Sequence, residues 1–274
     1  PCVEIGMFPQ IDGQSGWQGC NLTEINGGKC VTKVDFFLAC RAGAILGTLQ
    51  AGYTDFKFLP DATKDIFDRE ALLGVSITGW MNNPDILFNA EILEEGANIV
   101  KQVNREVAEV IGINAAARTT CVKPSGNASV LLQTASGIHA EHSSMYIRNV
   151  QMNKESEVTQ AIQKQNPHMV EESVWSSGGT DVVVSFPILP KEGSMLKDDL
   201  IGVDHLEKVK LAQEHWVNAG TNEELCADKG IRHNVSNTII VKDWDEVENY
   251  VFKNRRSFAG ISFLSAMGDK DFNQ

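Results

Sequence analysis

The sequence lacks several features that would each indicate a class of protein. It has no excess of basic residues: a formal net charge of −12 over 274 residues disfavours a general positive field for nucleic acid or for an anionic membrane. No apolar run approaches the roughly 18 residues that a membrane-spanning helix needs. No secretory signal opens the chain, so we expect a cytoplasmic protein with reduced thiols.

Common motifs for metals and for nucleotides are also missing. The six cysteines form no CxxC pair, their spacing matches no common zinc pattern, and none of the six histidines stands in an HExxH motif. We therefore assign no metal to the side chains of this chain. The GxxxxGK[ST] spacing of a P-loop does not occur either. Cys40, Cys121 and Cys226 are best explained as small, buried apolar residues.

Apolar strands that alternate with helices predict an α/β fold with mainly parallel strands in one domain. The predicted strands cover residues 2–8, 71–80, 117–122, 145–152, 180–188, 236–241 and 258–264. The predicted helices cover residues 32–53, 89–111, 129–134, 204–220 and 242–253. Residues 9–29 are predicted to be a loop, and the polar stretch 153–178 to be an insertion.

The opening stretch PCVEI places a thiol and a carboxylate two residues apart. Residues i and i+2 of a strand point to the same face, so Cys2 and Glu4 would line one wall. A neighbouring carboxylate raises the pKa of a thiol, which makes Cys2 a poor thiolate nucleophile. Either the chemistry uses the thiol in another way, or the pair is structural, with a buried cysteine and an exposed glutamate.

The loop KPSGNAS, residues 123–129, stands immediately before a predicted helix. Backbone N–H groups at the start of a helix point outward, and the helix dipole favours a negative charge there. The loop is therefore a candidate phosphate site, although on its own it also suits an ordinary helix cap.

Taken together, three stretches resemble the large catalytic chain of ribonucleotide reductases: PCVEI, then GWQGCNL, then CVKPSGNASVLLQTASGIHAEHSSMYIR. The resemblance runs across nearly the whole chain and is greatest to the monomeric, adenosylcobalamin-dependent class II enzymes. It implies part of a ten-stranded α/β barrel, built of two half-barrels of parallel strands, as in ribonucleotide reductases and glycyl-radical enzymes. Residues 1–274 would form the C-terminal portion of that barrel as a single domain. Cys2 would then lie on a loop that enters the barrel, which replaces the strand predicted at 2–8.

The resemblance also implies roles for individual residues. Cys2 matches the cysteine that becomes a thiyl radical, and abstraction of a hydrogen atom uses an S–H group that a nearby carboxylate does not harm. Glu4 matches the general base for the substrate 3′-hydroxyl. Cys20 matches one of two reducing cysteines that end as a disulfide. The implied substrate-binding residues are Leu22 in the base or ribose pocket and, for the phosphates, Pro124, Ser125, Gly126, Asn127, Ala128 and Ser129.

The choice of radical source follows from the same resemblance. Class I enzymes relay the radical through two adjacent tyrosines, and none of the three tyrosines here are adjacent. Class III enzymes typically lack the glutamate that Glu4 matches. Adenosylcobalamin therefore remains as the implied cofactor, with a ribonucleoside triphosphate, or else a diphosphate, as substrate and a thioredoxin-type reductant as partner.

Some parts of the family pattern are missing from this sequence. The partner of Cys20, the asparagine before Pro1 and the C-terminal cysteine pair have no counterpart, so both ends appear truncated relative to the family. The alternative function is therefore a half-barrel subunit or fragment that is inactive until it assembles with the upstream half of the enzyme.

Overall fold

The computed structural model describes residues 3–266, which form two compact units. The first unit contains residues 3–141 and 192–266, and the second contains residues 142–191. The grouping of residues 1–274 into a single domain stays a prediction.

The described residues form nine strands and eight α-helices. The strands are β1 Gln10–Ile11, β2 Gln14–Ser15, β3 Asn21–Asn26, β4 Leu73–Thr78, β5 Tyr146–Asn153, β6 Val170–Glu172, β7 Asp181–Ile188, β8 Ile239–Val241 and β9 Phe263–Ser265. The helices are α1 Lys33–Ala51, α2 Asp61–Glu70, α3 Pro84–Leu87, α4 Ala90–Ile111, α5 Gly126–Leu132, α6 Glu157–Gln165, α7 Val203–Ala212 and α8 Trp244–Lys253. A π-helical turn, Gln213–Asn218, continues α7.

Parallel backbone pairing runs through the first unit from β3 to β9. β3 pairs with β4, and Val75 of β4 donates its N–H to Thr119 O at 2.8 Å and accepts from Cys121 N–H at 3.1 Å. Val122 then exchanges hydrogen bonds with Asn234 and Ser236, and β8 pairs with β9. Five neighbouring parallel stretches, β3, β4, 118–122, 234–241 and β9, therefore follow one another, as expected for part of an α/β barrel.

Helix α1 packs on β3 and β4, and α4 packs against α1. α1 begins at a capping box, in which Thr32 and Asp35 each bind the backbone N–H of the other. A side chain at Gly96 of α4 would lie 2.6 Å from the ring of Phe36, so the absence of a side chain allows the two helices to approach closely. Phe36 also packs against Trp216, with ring centroids 5.8 Å apart. α1 is long and apolar enough to cross a membrane by length and composition alone, as core helices can be.

The second unit is an antiparallel sheet with one helix. Its strand order is β5, β7, β6, and residues 146–153 of β5 pair along their whole length with β7. The predicted strands 145–152 and 180–188 are both present. The polar stretch between them contains α6 and β6.

Several predicted elements differ from the structure. The prediction of a loop over 9–29 is wrong, because this stretch contains the β1–β2 hairpin and β3. Helix α2 was not predicted. The short helix predicted at 129–134 begins three residues earlier, at Gly126, and ends at Leu132. Residues 3–8 form no strand, which agrees with the loop that the family resemblance implies.

Candidate functional site

The segment 3–8 is held against the ends of the parallel strands by hydrogen bonds at three points. Glu4 O accepts from Asn234 N–H at 2.9 Å. The N–H of Gly6 donates to His233 Nδ1 at 3.2 Å, and Phe8 N–H donates to the side chain of Gln18 at 2.6 Å. A side chain at Gly6 would collide with the backbone of Arg232 and would lie 2.6 Å from Ile231 Cγ2. The fit of this segment therefore depends on a glycine.

Glu4 is the first predicted site residue on this segment, and it is buried, with 7% of its surface exposed. Within residues 3–266, no hydrogen-bond donor reaches its Oε2 atom. That oxygen is free to accept a proton or a hydrogen bond from a bound molecule. Cys2 lies outside the described residues, so the shared face of Cys2 and Glu4 stays a prediction.

Cys20 stands immediately before β3 and lies close to Glu4. Burial raises the pKa of the Cys20 thiol well above its ordinary value, the negative charge of Glu4 raises it further, and the positive charge of Arg118 opposes this rise. The sulfur is 3.9 Å from His233 Nε2. Because His233 Nε2 also donates to Leu73 O at 2.9 Å, and Nδ1 accepts from Gly6, the ring is held as the neutral Nε2–H tautomer.

A second thiol, which the sequence did not indicate as functional, faces Cys20 across β4. The Cβ of a side chain at Gly74 would lie 3.2 Å from Cys20 Sγ and 3.0 Å from Cys121 Sγ. Leu22, the predicted pocket residue, comes within 2.5 Å of the same point. Burial raises the pKa of Cys121 well above its ordinary value, and Cys20, Glu4 and Glu24 raise it further. The missing side chain of Gly74 therefore makes room for two protonated thiols and Leu22.

A second carboxylate, Glu24, connects β3 to the predicted phosphate loop. Its Oε2 accepts from Lys123 Nζ at 3.3 Å, and its Oε1 accepts from Ser76 Oγ at 3.3 Å. Ser76 Oγ in turn accepts from the backbone N–H of Lys123 at 3.0 Å. Burial raises the pKa of Glu24, and the Lys123 cation partly opposes this. No sequence pattern marks Glu24 as functional, because the sequence predicts a loop where β3 forms.

The predicted phosphate residues 124–129 follow Lys123 and form a turn and the start of α5. Ser125 caps the helix in the left-handed conformation, with φ 57° and ψ 41°. Ser129 N–H bonds to Ser125 O at 3.0 Å, so this amide is used within the helix. The first-turn amides that a helix leaves without an intrahelical acceptor are those of Gly126, Asn127 and Ala128. The space around Gly126 is open, since a side chain there would meet no atom within 4 Å.

The strands that carry these residues are braced by a buried ion pair. Arg118 Nη2 binds Glu70 Oε1 at 2.8 Å, and the two side chains are 1% and 0% exposed. Arg118 Nη1 also donates to Ile231 O at 3.3 Å. The side chain of Gln213 binds the same segment further along the chain: it donates to His233 O at 3.1 Å and accepts from Val235 N–H at 3.2 Å. These contacts fix the segment that supports His233.

Comparisons with known proteins show which proteins the chain resembles in sequence and in fold. No family model matches the chain. An adenosylcobalamin-dependent ribonucleoside-triphosphate reductase from Euglena gracilis is 24% identical over 169 residues, or 61% of this chain and 23% of that protein. A probable adenosylcobalamin-dependent ribonucleoside-triphosphate reductase from Dictyostelium discoideum is 27% identical over 172 residues, or 61% of this chain and 22% of that protein. The chain is similar to adenosylcobalamin-dependent ribonucleotide reductases.

The similarity in fold to a solved structure covers more of the chain than the similarity in sequence to the two relatives. The crystal structure of a B12-dependent class II ribonucleotide reductase matches 92% of this chain and 37% of its own, with a TM-score of 0.68 and 14% sequence identity. The predicted family resemblance and fold class are therefore confirmed. The match to the curated relatives spans less than a quarter of their length.

Proposed function

We propose that this chain is part of the catalytic barrel of an adenosylcobalamin-dependent ribonucleotide reductase, whose site reduces the ribose of a ribonucleoside triphosphate. The observation that supports this most directly is the grouping of Glu4, Cys20 and Leu22 where segment 3–8 meets β3 and β4. The family resemblance gives these three residues different roles in one reaction: Glu4 as the general base, Cys20 as a reducing cysteine and Leu22 as a residue of the base or ribose pocket. The upstream part of the enzyme and a thioredoxin-type reductant belong to the same proposal.

The chemistry of the residues suits radical reduction of a ribose. In the proposed reaction, a thiyl radical on Cys2 takes the hydrogen atom from C3′ of the ribose. The free Oε2 of Glu4 takes the proton of the 3′-hydroxyl, and the 2′-hydroxyl leaves as water with a proton from the thiol of a second cysteine. Cys20, kept protonated by burial and by Glu4, supplies hydrogen to C2′. Cys20 and that second cysteine together lose two electrons to the substrate and form a disulfide, which the external dithiol reduces. Glu4 returns its proton to O3′ and Cys2 returns the hydrogen atom to C3′, which regenerates the thiyl radical.

Adenosylcobalamin, when bound, would supply the 5′-deoxyadenosyl radical that converts the Cys2 thiol to a thiyl radical. Its cobalt is held by its own corrin ring, so the chain needs no cluster of metal-ligating side chains. A pocket of about 580 Å³, lined in part by Ile231, Arg232 and Phe258, opens beside the segment that carries Glu4. This pocket is large enough for one part of the cofactor. It is open to solvent, so the rest of a ligand that is larger than the pocket can extend beyond it.

The substrate phosphates are proposed to bind at Pro124, Ser125, Gly126, Asn127, Ala128 and Ser129. The open space at Gly126 and the unused first-turn amides of α5 support this assignment. Lys123 adds a cation at the start of the loop, although its Nζ is shared with Glu24.

The proposal is tested in the full-length enzyme that contains this segment, with adenosylcobalamin, a dithiol and 3′-tritiated nucleotide. Cys20→Ser should abolish formation of deoxynucleotide while release of tritium from C3′ continues, because only the later delivery of hydrogen needs Cys20. Cys226→Ser is the matched control, since Cys226 bonds to Ala117 O and Asn222 O instead and should leave turnover unchanged. Full reduction by Cys20→Ser would exclude Cys20 from the reaction.

The alternative is a half-barrel subunit or fragment that assembles with an upstream chain and is inactive alone, and the five neighbouring parallel stretches of the first unit support it. Addition of the upstream part to this chain should then restore turnover that the chain lacks alone. Turnover by the chain alone would exclude this alternative.

A further inference from the structure

Three arginines line the pocket of about 580 Å³ described above, and the proposed function gives their positive charge no role. The pocket holds about 580 Å³ and is formed by residues 230–232 and 255–259 with Gln213 and Asn218, and its cations are Arg232, Arg255 and Arg256. Among residues 3–266, no acidic side chain lines it. Such a concentration of positive charge is unusual in a chain whose formal net charge is −12.

The three guanidinium groups are largely free to bind a ligand. Within residues 3–266, no carboxylate lies within ion-pair distance of any of them. Arg255 Nη1 donates to Phe252 O at 2.8 Å, and its guanidinium carbon lies 4.7 Å from the centre of the Phe252 ring. These two contacts hold Arg255 in place but use only one of its five N–H donors. Arginine groups of this kind bind phosphate oxygens through paired hydrogen bonds.

Both walls of the pocket are tied to the segment that carries Glu4. Gly6 packs directly on the backbone of Arg232 and on Ile231. Asn234 donates its backbone N–H to Glu4 O at 2.9 Å, and its side chain accepts from Gly260 N–H at 3.2 Å. A ligand in the pocket would therefore lie next to the candidate site and to the residues that fix Glu4.

We propose that the pocket lined by Arg232, Arg255 and Arg256 binds a phosphate group of a small-molecule ligand. Two sources carry this chemistry: the phosphodiester in the nucleotide loop of a cobalamin, and the triphosphate of a second nucleotide. The choice between these sources rests on the proposed function, whereas the phosphate site itself rests on the pocket. It is separate from the turn at 124–129, which contributes no residue to the pocket.

The first experiment measures binding of tripolyphosphate to the chain by isothermal titration calorimetry, without turnover. Arg232→Gln and Arg256→Gln should each weaken binding about tenfold or more, since each removes charge-assisted hydrogen bonds. Arg41→Gln is the matched control, because Arg41 is exposed on α1, outside the pocket, and its substitution changes the net charge equally. Absence of binding by the parent chain, or an equal loss in Arg41→Gln, would overturn the proposal.

The second experiment identifies the source in the full-length enzyme, with binding followed by calorimetry and by cobalamin absorbance. If the cobalamin phosphodiester occupies the pocket, Arg256→Gln should weaken adenosylcobalamin but not adenosylcobinamide, which lacks that group. If a nucleotide occupies it, the same variant should weaken ATP instead. Unchanged affinity for both ligands would overturn the proposal, even where tripolyphosphate binds. Since neither readout needs catalysis, failure here is distinguishable from failure of the Cys20→Ser test.

Discussion

Replacement of Glu70 by glutamine tests the buried network that braces the site. Each oxygen of the Glu70 carboxylate accepts two hydrogen bonds: Oε1 from Arg118 at 2.8 Å and from Ala227 N–H at 3.2 Å, Oε2 from Gln18 at 2.7 Å and from Arg69 at 3.1 Å. A glutamine keeps the shape but turns one of these acceptors into a donor that faces two other donors. It also removes the negative charge beside Arg118.

The size of the effect follows from burial. The Arg118 side chain is 1% exposed, so its charge cannot be solvated when Glu70 is neutral. Loss of one partner from a buried ion pair costs about 3–5 kcal/mol, which is a large share of the roughly 5–15 kcal/mol that stabilises a typical domain. We expect Glu70→Gln to lower the free energy of unfolding by about that amount in urea denaturation followed by circular dichroism. Glu224→Gln should change it by less than about 1 kcal/mol, because the Arg105–Glu224 pair is 54% and 64% exposed.

The same network predicts a dependence on pH. Burial alone would raise the pKa of Glu70, but the hydrogen bond from Gln18 and the charge of Arg118 together leave it lowered. A carboxylate with a lowered folded-state pKa contributes stability that is fully present above the unfolded value of about 4.3. That contribution is lost as the pH falls through the folded-state value. Stability of the parent should therefore fall more steeply in acid than that of Glu70→Gln. Equal stability of the two proteins at pH 7, or parallel acid slopes, would refute this reasoning.

Two further predictions concern segment 3–8. Glu4→Gln should speed alkylation of Cys20 by iodoacetamide at pH 8, measured by mass spectrometry, because loss of the neighbouring charge lowers the thiol pKa. Cys226 is the control in the same sample, because Glu4 does not affect its pKa. An unchanged or slower rate of alkylation at Cys20 would contradict the placement of Glu4 beside Cys20. Gly6→Ala should destabilise the protein by about 1–3 kcal/mol, since the new methyl group collides with Arg232. Gly126→Ala, which meets no atom within 4 Å, is its control, and equal effects in urea denaturation would show that segment 3–8 is not packed as described.

The apolar elements of the fold could be predicted from the sequence. Every residue of β4 is buried, and the predicted strand 71–80 contains all of it. The helical period of α4 placed that helix to within one residue at each end. In contrast, β3 reads NLTEIN and contains only one buried residue, so no hydrophobic pattern marks it as a strand. Its polarity reflects its position: Glu24 faces the Lys123 side, whereas Thr23 and Ile25 pack against α1.

The candidate site was predicted only in part, and for a different reason. The resemblance to the family, rather than any periodicity, indicated Cys20, which stands immediately before β3, and Leu22, which lies in it. Cys121 is 101 residues from Cys20 in the sequence, and the two thiols meet only because 118–122 and β3 flank β4. The one signal in the sequence was Gly74, a glycine inside an apolar strand, which indicates a close approach of other atoms. The residues that approach Gly74 could not be identified without the order of the strands.

The electrostatics of the site bear on the question raised by a thiol beside a carboxylate. Nucleophilic cysteines lie where positive charge or a helix start lowers the thiol pKa. Here burial and the carboxylate of Glu4 raise the pKa of both Cys20 and Cys121, and the opposing charge of Arg118 at Cys20 is compensated by its ion pair with Glu70. Such an environment keeps both thiols protonated and disfavours the thiolate form. It therefore disfavours polar attack by sulfur and favours chemistry in which a thiol gives up a hydrogen atom, which is the property that the proposed ribose reduction would require of Cys20.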